Sequence, residues 1–548
     1  MRNFFLFLIV LVLQFSIATS QTLQWAKQFG GTKSDIAFSN TIDIAGNSYI
    51  TGYTDTSSIN IFICKLDSNG NILWNKIIGG MGVDASIHIT TDSLCNIYVC
   101  GVFNDSVDFD PGTGISSLIS QSLGDAYLLK LDSGGNFVWV KQMGCHAFYE
   151  NGSRFCKVSG PYIYWCGVFN DTLFYTAQST SFPVAISQGL IDIFIAKLDT
   201  AGNFIWTKSQ GGLGSDGIVS IALDDADNII TTGGFTGICD FNPDSTVNFD
   251  LTSLGNTDVY VCKLDSGGNF IWVKQFGGVN FEVPCELVID KAGNIFLAGV
   301  FEGIMDADPN SGIYNLVSNG NYDNFILKLD SSGNMQWALS FGGTGLDVCN
   351  SLALDSSANI YTTGRFVDTV DFDPGMGVYN LVCNNSFGDT FVNKIDSAGN
   401  LIWANQLVGT IDNMGNSIAL DNNLNIYVAG NFSNSCDFDP SGNFYTLNSL
   451  GPYDAYLFKW SQPLTGLHDT YTNSSVKVFP NPFTETVQIN VIEKATVTIS
   501  SITGQVILRT ILPVGINTID MASQKSGTYL LNVLTDKSSS NAMVVKSD

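Results

Sequence analysis

Pairs of aspartates two residues apart and followed by proline recur along this sequence. They are Asp108 and Asp110 in DFDPG, Asp306 and Asp308 in DADPN, Asp371 and Asp373 in DFDPG, and Asp437 and Asp439 in DFDPS, with a variant, DFNPD, at Asp240. Two carboxylates at this spacing offer oxygen ligands to a hard cation such as Ca²⁺. The series stops after two acids, whereas an EF-hand loop continues as DxDxDG to a distal glutamate. The competing reading is conformational: Asp closes an Asx turn, Pro fixes φ, and the intervening Phe packs between neighbouring elements. The incomplete ligand count favours the conformational reading and assigns no metal.

Other groups able to do chemistry are sparse. The three histidines are His88, His146 and His468. His88 sits in a strand and reads as a core or turn residue rather than a ligand. His146, Glu150 and Arg154 form a cluster peculiar to one stretch of the chain. HExxH, CxxC and nucleophile-elbow motifs are absent, so metallohydrolase and serine-hydrolase chemistry have no support. Several Asp-Ser/Thr-apolar triplets, such as Asp105-Ser106-Val107 and Asp368-Thr369-Val370, resemble O-glycosylation acceptors.

The elements that must position these residues are set by a repeat. KLDSGGNFVW at Lys130 has relatives at Lys65, Lys197, Lys263, Lys328 and Lys394, and a truncated copy at Lys459, spaced 65 to 67 residues apart. A period of this size fixes architecture before any single residue is considered. Each period carries four short β-type runs: SIALD or a relative, NIYxxG, DAYLLKLD and FVWVKQMG. They are joined by Asp-, Asn-, Ser- and Gly-rich connections that accept positive φ at little cost. Four antiparallel strands per period, many times repeated, predict an all-β protein whose repeats are the blades of a β-propeller.

Seven Lys copies exist, the last without its GNxxW continuation; the first of the GNxxW-type tryptophans, Trp25, precedes any Lys. The front of the chain thus supplies the strand missing from the last repeat. Pairing the two predicts seven blades and a closed ring, which removes exposed strand edges. Strand alternation puts the tight turns on one face, and the FGGxGxD entry loops and DxDP loops on the other. The first repeat lacks a DxDP loop, and the third carries DTLFYTAQ instead. The recurring tryptophans and the Lys–Asp of KLD are expected to serve packing and turn contacts.

A net charge of −26 leaves no basic surface for nucleic acid and disfavours anionic membranes. Residues 1–20 combine Arg2, an apolar run from Phe4 to Ile17 and small residues at Ala18–Ser20, the pattern of a secretory signal peptide. No later segment is long enough for a transmembrane span. Most of the twelve cysteines take apolar slots used elsewhere by Ala, Leu or Thr and read as buried thiols, with Cys145–Cys156 left open as a pair.

After Lys459 the repeat ends. Residues 463–475 form a polar linker, and 476–548 hold six or seven alternating strands, the pattern of a small Ig-like β-sandwich. The landmarks Pro480-Asn481-Pro482-Phe483, Gly504, Gly527, Tyr529 and terminal Lys546 resemble the C-terminal sorting domain of the type IX secretion system. That resemblance implies export by the type IX machinery to the cell surface or medium. The repeats, over 21–462, resemble the secreted β-propeller (SBBP) family, which implies fold and exported location without a shared activity.

Three function classes follow: a secreted or surface binding and adhesion module for an extracellular glycan or protein, a propeller enzyme acting on extracellular polysaccharide, and a structural surface component. The near-equivalence of the repeats favours binding, since catalysis demands residues that differ from their repeats. No catalytic residue and no cofactor are assigned, Ca²⁺ being the one candidate ion.

Overall fold

The computed structural model describes residues 21–121, 123–144, 152–177, 180–244, 246–462, 476–479, 485–491, 494–501, 505–525, 527–534 and 539–546. The chain divides into two compact units, Met1–Gln462 and Pro463–Asp548. Residues 1–20, expected as a signal peptide, residues 463–475, expected as a linker, and Cys145, His146, Glu150, His468, Pro480, Asn481, Pro482 and Gly504 lie outside the described residues.

Among the described residues the first compact unit contains seven four-stranded antiparallel meanders. Repeat 1 runs Asp35–Ile42, Ser48–Asp55, Ile59–Leu66 and Ile72–Ile78; repeat 2 runs Ala85–Thr91, Ile97–Phe103, Asp125–Leu131 and Phe137–Gly144. Repeats 3 to 6 span 152–212, 220–278, 282–341 and 348–406. Repeat 7 consists of Asn413–Leu420, Ile426–Phe432 and Asp454–Ser461, and its outer strand is Thr22–Phe29 from the front of the chain. That last pairing is antiparallel, with Trp25 opposite Lys459.

The burial pattern explains the composition of the strands. Third strands are inward on both faces, Asp125–Leu131 being buried at every position, because one face packs on the preceding repeat, through Tyr127 and Leu129, and the other on the following repeat, through Ala126 and Leu128. Fourth strands, such as Ile72–Ile78, are partly exposed. First strands pack on the next repeat's first strand all the way along, and Asn413–Leu420 packs on Asp35–Ile42. One apolar cluster joins Trp25, Tyr427 and Leu457 of repeat 7 to Ala37, Ile50 and Phe62 of repeat 1.

A side chain on the first strand stitches five of the seven repeats to the next. It follows a bulge in most repeats, where the register shifts by one residue. Ser39 Oγ accepts the Ile89 N–H (3.3 Å), Ser220 that of Leu287 (3.3 Å), Glu286 that of Leu352 (3.0 Å) and Ser351 that of Ile418 (3.1 Å). Ser417 accepts from Asn40 (3.1 Å), joining the seventh repeat to the first. This is why the serine of SIALD recurs.

The second compact unit has two sheets. One orders Val476–Phe479, Thr486–Val491 and Gly515–Asp520; the other orders Val506–Leu512, Ala495–Ser501, Gly527–Leu534 and Ser539–Lys546. Alternate residues of both sheets, among them Val487, Ile489, Val497, Ile499, Leu531 and Val533, share a single core. Tyr529 is buried and its hydroxyl donates to the Lys525 carbonyl, while Lys546 Nζ donates to the carbonyls of Ala522 (3.2 Å) and Gln524 (2.7 Å). Two of the sorting landmarks therefore fasten onto the turn that precedes Gly527.

Candidate functional site

Each DxDP loop lies in a short hairpin between the second and third strands. Its first aspartate does conformational work. Asp108 Oδ1 accepts the N–H of Asp110 (3.1 Å) and of Ser116 (2.8 Å), closing an Asx turn and pinning the returning strand. Asp306 accepts from Asp308 and Tyr314, Asp371 from Asp373 and Tyr379, Asp437 from Asp439 and Tyr445, and Asp240 from Asn242 and Phe249. The second aspartates repeat the local turn: Asp110 accepts from Gly112, Asp308 from Asn310, Asp373 from Gly375 and Asp439 from Ser441. The residue between them is a wedge. Phe109, Phe241, Ala307, Phe372 and Phe438 are fully buried, and the Phe109 ring sits 4.9 Å from that of Tyr127.

These hairpins clasp the preceding repeat. Gly211 and Gly212 pair with Asp240 and Cys239, Gly277 and Gly278 with Asp306 and Met305, and Val408 and Gly409 with Asp437 and Cys436. Both glycines of the FGG signature are thereby explained. A Cβ on Gly211, Gly277 or Gly342 would collide with the buried carboxylate of Asp192, Asp258 or Asp323. A Cβ on Gly212 or Gly278 would strike the carbonyl oxygen of Ile238 or Ile304 in the clasping hairpin. Gly31 faces open space, because repeat 1 has no hairpin to clasp it. The hairpins begin at residues with left-handed φ, Asp105 (60°), Asp171 (62°), Asp368 (63°) and Asn434 (63°). The Asp-Ser/Thr-apolar triplets thus mark a turn, with Ser106 and Thr369 exposed and Val107 and Val370 buried.

Beyond each turn the hairpin presents an apolar residue seven places after the first aspartate. Ile115 (85 % exposed), Val247, Ile313, Val378 and Phe444 (87 %) occupy this one position in five repeats. Tyr314, Tyr379 and Tyr445 stand beside three of them, each about two-fifths exposed. Sequence reasoning passed over this set because the position tolerates Ile, Val and Phe and so leaves no motif.

The entry-loop acids Asp84, Asp216 and Asp347 are fully buried. Asp84 accepts from the N–H of Gly80 (2.7 Å) and of Asn104 (3.0 Å), and Asp347 from Gly343 (2.7 Å) and Val367 (3.0 Å). Burial raises Asp347 to about 6 and Asp192 to about 6; burial together with the neighbouring Asp192 charge takes Asp216 to about 7, and burial lifts Glu282 to about 7.

At the other end of the strands the KLD lysines form a ladder. Lys65 Nζ donates to the Ser133 carbonyl (3.0 Å), Lys130 to Thr200 (2.9 Å), Lys197 to Ser266 (3.0 Å), Lys328 to Ser397 (3.2 Å) and Lys459 to Ser68 (3.3 Å), always in the following repeat's turn. Each also sits over an aromatic ring of its own repeat, as Lys65 does over Tyr49 at 5.0 Å. The glycine of the next turn covers the tryptophan: a Cβ on Gly70 would meet Trp25, and one on Gly135 would meet Trp74. The tryptophans are packing residues. Between neighbouring turns lie two grooves, about 510 Å³ lined by Asp43, Ser68, Asp421 and Lys459, and about 330 Å³ lined by Asp224, Asp225, Asp290 and Lys291.

His88 is the departure from the repeat. It occupies the stitching position held by serine in four other repeats, by Glu286 in repeat 5 and by Phe155 in repeat 3, across from Cys100. Its ring stacks on Phe155 at 3.7 Å, and Nδ1 lies 3.7 Å from the Cys156 sulfur. Eleven cysteines among the described residues are free thiols, Cys156 included. Arg154 is exposed on the same strand as Cys156.

Comparison with known proteins matches this architecture at both ends. Residues 24–60 match the beta-propeller repeat family, and residues 477–547 match the secretion system C-terminal sorting domain. An uncharacterised WD repeat-containing protein of Acanthamoeba polyphaga mimivirus is 24 % identical over 482 residues, covering 73 % of this chain and 34 % of that protein. The regulatory protein FlaEY of Caulobacter vibrioides is 26 % identical over 111 residues, 20 % of this chain and 12 % of its own. The chain spans only about a third of the first relative and an eighth of the second. No helix among the described residues is long and apolar enough to cross a membrane. The chain thus carries a segment similar to the SBBP-type beta-propeller repeat near its front and one similar to the type IX secretion C-terminal sorting domain at its back.

Proposed function

We propose that this is a non-catalytic binding and adhesion module displayed outside the cell, with the clasp-hairpin rim as its contact surface. In this reading residues 1–20 are a signal peptide and 21–462 a seven-bladed β-propeller closed by its N-terminal strand. Residues 463–475 are a linker to a β-sandwich, 476–548, that engages the type IX machinery. Ring closure is supported by the Trp25–Lys459 pairing, the Ser417–Asn40 stitch and the Lys459–Ser68 rung, which all join repeat 7 to repeat 1.

The observation that carries the binding reading is the recurrence of an exposed apolar residue at one register position in five repeats. Large exposed side chains on rigid hairpins are what a contact surface needs, since little ordering entropy is lost when a partner docks. Five similar contacts suit an extracellular polymer, a glycan or a protein, held with avidity exceeding that of any one contact. The mature chain from Gln21, applied to glycan arrays and extracellular protein panels, is expected to bind saturably without product release. Replacing Ile115, Ile313, Val378 and Phe444 with serine should weaken binding at least about tenfold while leaving the far-UV spectrum intact. Product release would instead assign a lyase or hydrolase, and binding unaffected by the four replacements would move the contact surface elsewhere.

A further inference from the structure

Three donor atoms converge where repeats 2 and 3 meet. His88 and Cys100 are cross-strand partners in repeat 2, and Cys156 lies on the first strand of repeat 3. The His88 ring nitrogen and the two sulfurs all lie within 4.8 Å of one another, the single grouping of metal-ligand type among the described residues. Both sulfurs are fully buried, and His88 as a whole residue is partly buried.

The repeat makes this convergence conspicuous. At the His88 position four other repeats carry Ser39, Ser220, Ser351 and Ser417, while repeats 3 and 5 carry Phe155 and Glu286; at the Cys156 position the others carry Ile89, Ile221, Ile418, Leu287, Leu352 and Asn40; and at the Cys100 position they carry Thr51, Thr232, Thr363, Ala298, Ala429 and Cys166. Histidine and cysteine at the first two positions occur in no other repeat, and here they meet at the Cys100 thiol. The serine-to-backbone stitch that joins other repeats is replaced here by an imidazole facing a thiol.

We propose that His88, Cys100 and Cys156 form a binding site for one thiophilic metal ion, Zn²⁺ or an ion of similar softness, which takes over the stitch between repeats 2 and 3. Geometry and charge both fit. Metal–sulfur and metal–nitrogen bonds of about 2.3 and 2.1 Å at a tetrahedral angle place S and N about 3.6 Å apart, and Nδ1 and the Cys156 sulfur stand 3.7 Å apart. Two thiolates and a neutral imidazole cancel the charge of a divalent ion, so binding leaves no net charge in the core. Soft sulfur donors select Zn²⁺ or Cu⁺ over Ca²⁺ and Mg²⁺. Binding releases the two thiol protons to solvent and changes no oxidation state.

The test uses the mature full chain, purified under reducing conditions and stripped with chelator, then titrated with Co²⁺ and Zn²⁺. One equivalent of Co²⁺ is expected to produce a thiolate-to-cobalt charge-transfer band that Zn²⁺ displaces, together with a rise in Tm. His88→Ser and Cys156→Ile restore residues that the other repeats use, so both variants keep the fold. Each should lose the band and weaken Zn²⁺ binding more than about tenfold. Absence of stoichiometric binding, binding that persists in both variants, or a Cys100–Cys156 disulfide found by peptide mapping of the chain as isolated would overturn the proposal.

Discussion

A single atom separates the two glycines that end most fourth strands from any other residue, and the structure assigns each a different reason. Gly212 lies under the Ile238 carbonyl of a clasping hairpin, whereas Gly31 occupies the corresponding place with nothing near it. Gly212→Ala is therefore expected to destabilise by about 1–3 kcal/mol through backbone displacement, while Gly31→Ala should stay within about 0.5 kcal/mol of the parent. Urea unfolding of the two variants side by side reads this difference directly; equal midpoints would refute the clasp. The sequence displayed the FGG motif but not its cause, because the colliding atom belongs to a loop of the next repeat. His88 illustrates the converse. Its strand location was legible, yet Cys100 and Cys156 lie in positions whose convergence depends on how two repeats pack, and read singly all three look like core residues.

At the level of elements, the DxDP hairpin shows how a local motif can resemble a ligand set. Its leading carboxylate is already engaged by two backbone donors, as Asp371 is by Asp373 (3.0 Å) and Tyr379 (2.8 Å). Removing both Asp108 and Asp371 by alanine substitution should lower stability by about 1–3 kcal/mol for each lost turn anchor, equally with calcium and with chelator. A calcium-dependent rise in Tm that vanishes in this double variant would restore the cation reading. Strand order, the tight turns and the missing hairpin of repeat 1 were legible because Gly, Asn and Asp mark turns through φ. The apolar residue at the hairpin tip was not, since exposure there imposes no single side chain. The KLD lysine was legible as structural, but its partner was hidden: Lys130 reaches Thr200, in the following repeat.

For the whole molecule, acidity and burial combine into a pH response. The net charge is −26, and buried Asp192, Asp216, Glu282 and Asp347 hold their protons up to about 6, 7, 7 and 6. Because these folded values exceed the unfolded ones, their contribution is fully present below about pH 4 and is lost as pH rises through 6 to 7. Turn aspartates act oppositely. Backbone and side-chain hydrogen bonds from Asn203 hold Asp199 below its ordinary value, so that contribution disappears as pH falls under about 4. Thermal unfolding should therefore peak between about pH 4 and 6 and decline by several degrees toward pH 8; a Tm that rises from pH 5 to 8 would contradict this balance. The pairing of Thr22–Phe29 with Asp454–Ser461 carries a consequence in time. Thr22 and Ser461, hydrogen-bonded at 2.6 Å, are 439 positions apart. A chain that emerges leading end first must hold this strand unpaired until the final repeat follows, so the fastening is expected to form late in folding. A chain cut short before Asp454 is expected to leave a naked edge open to pairing with another copy.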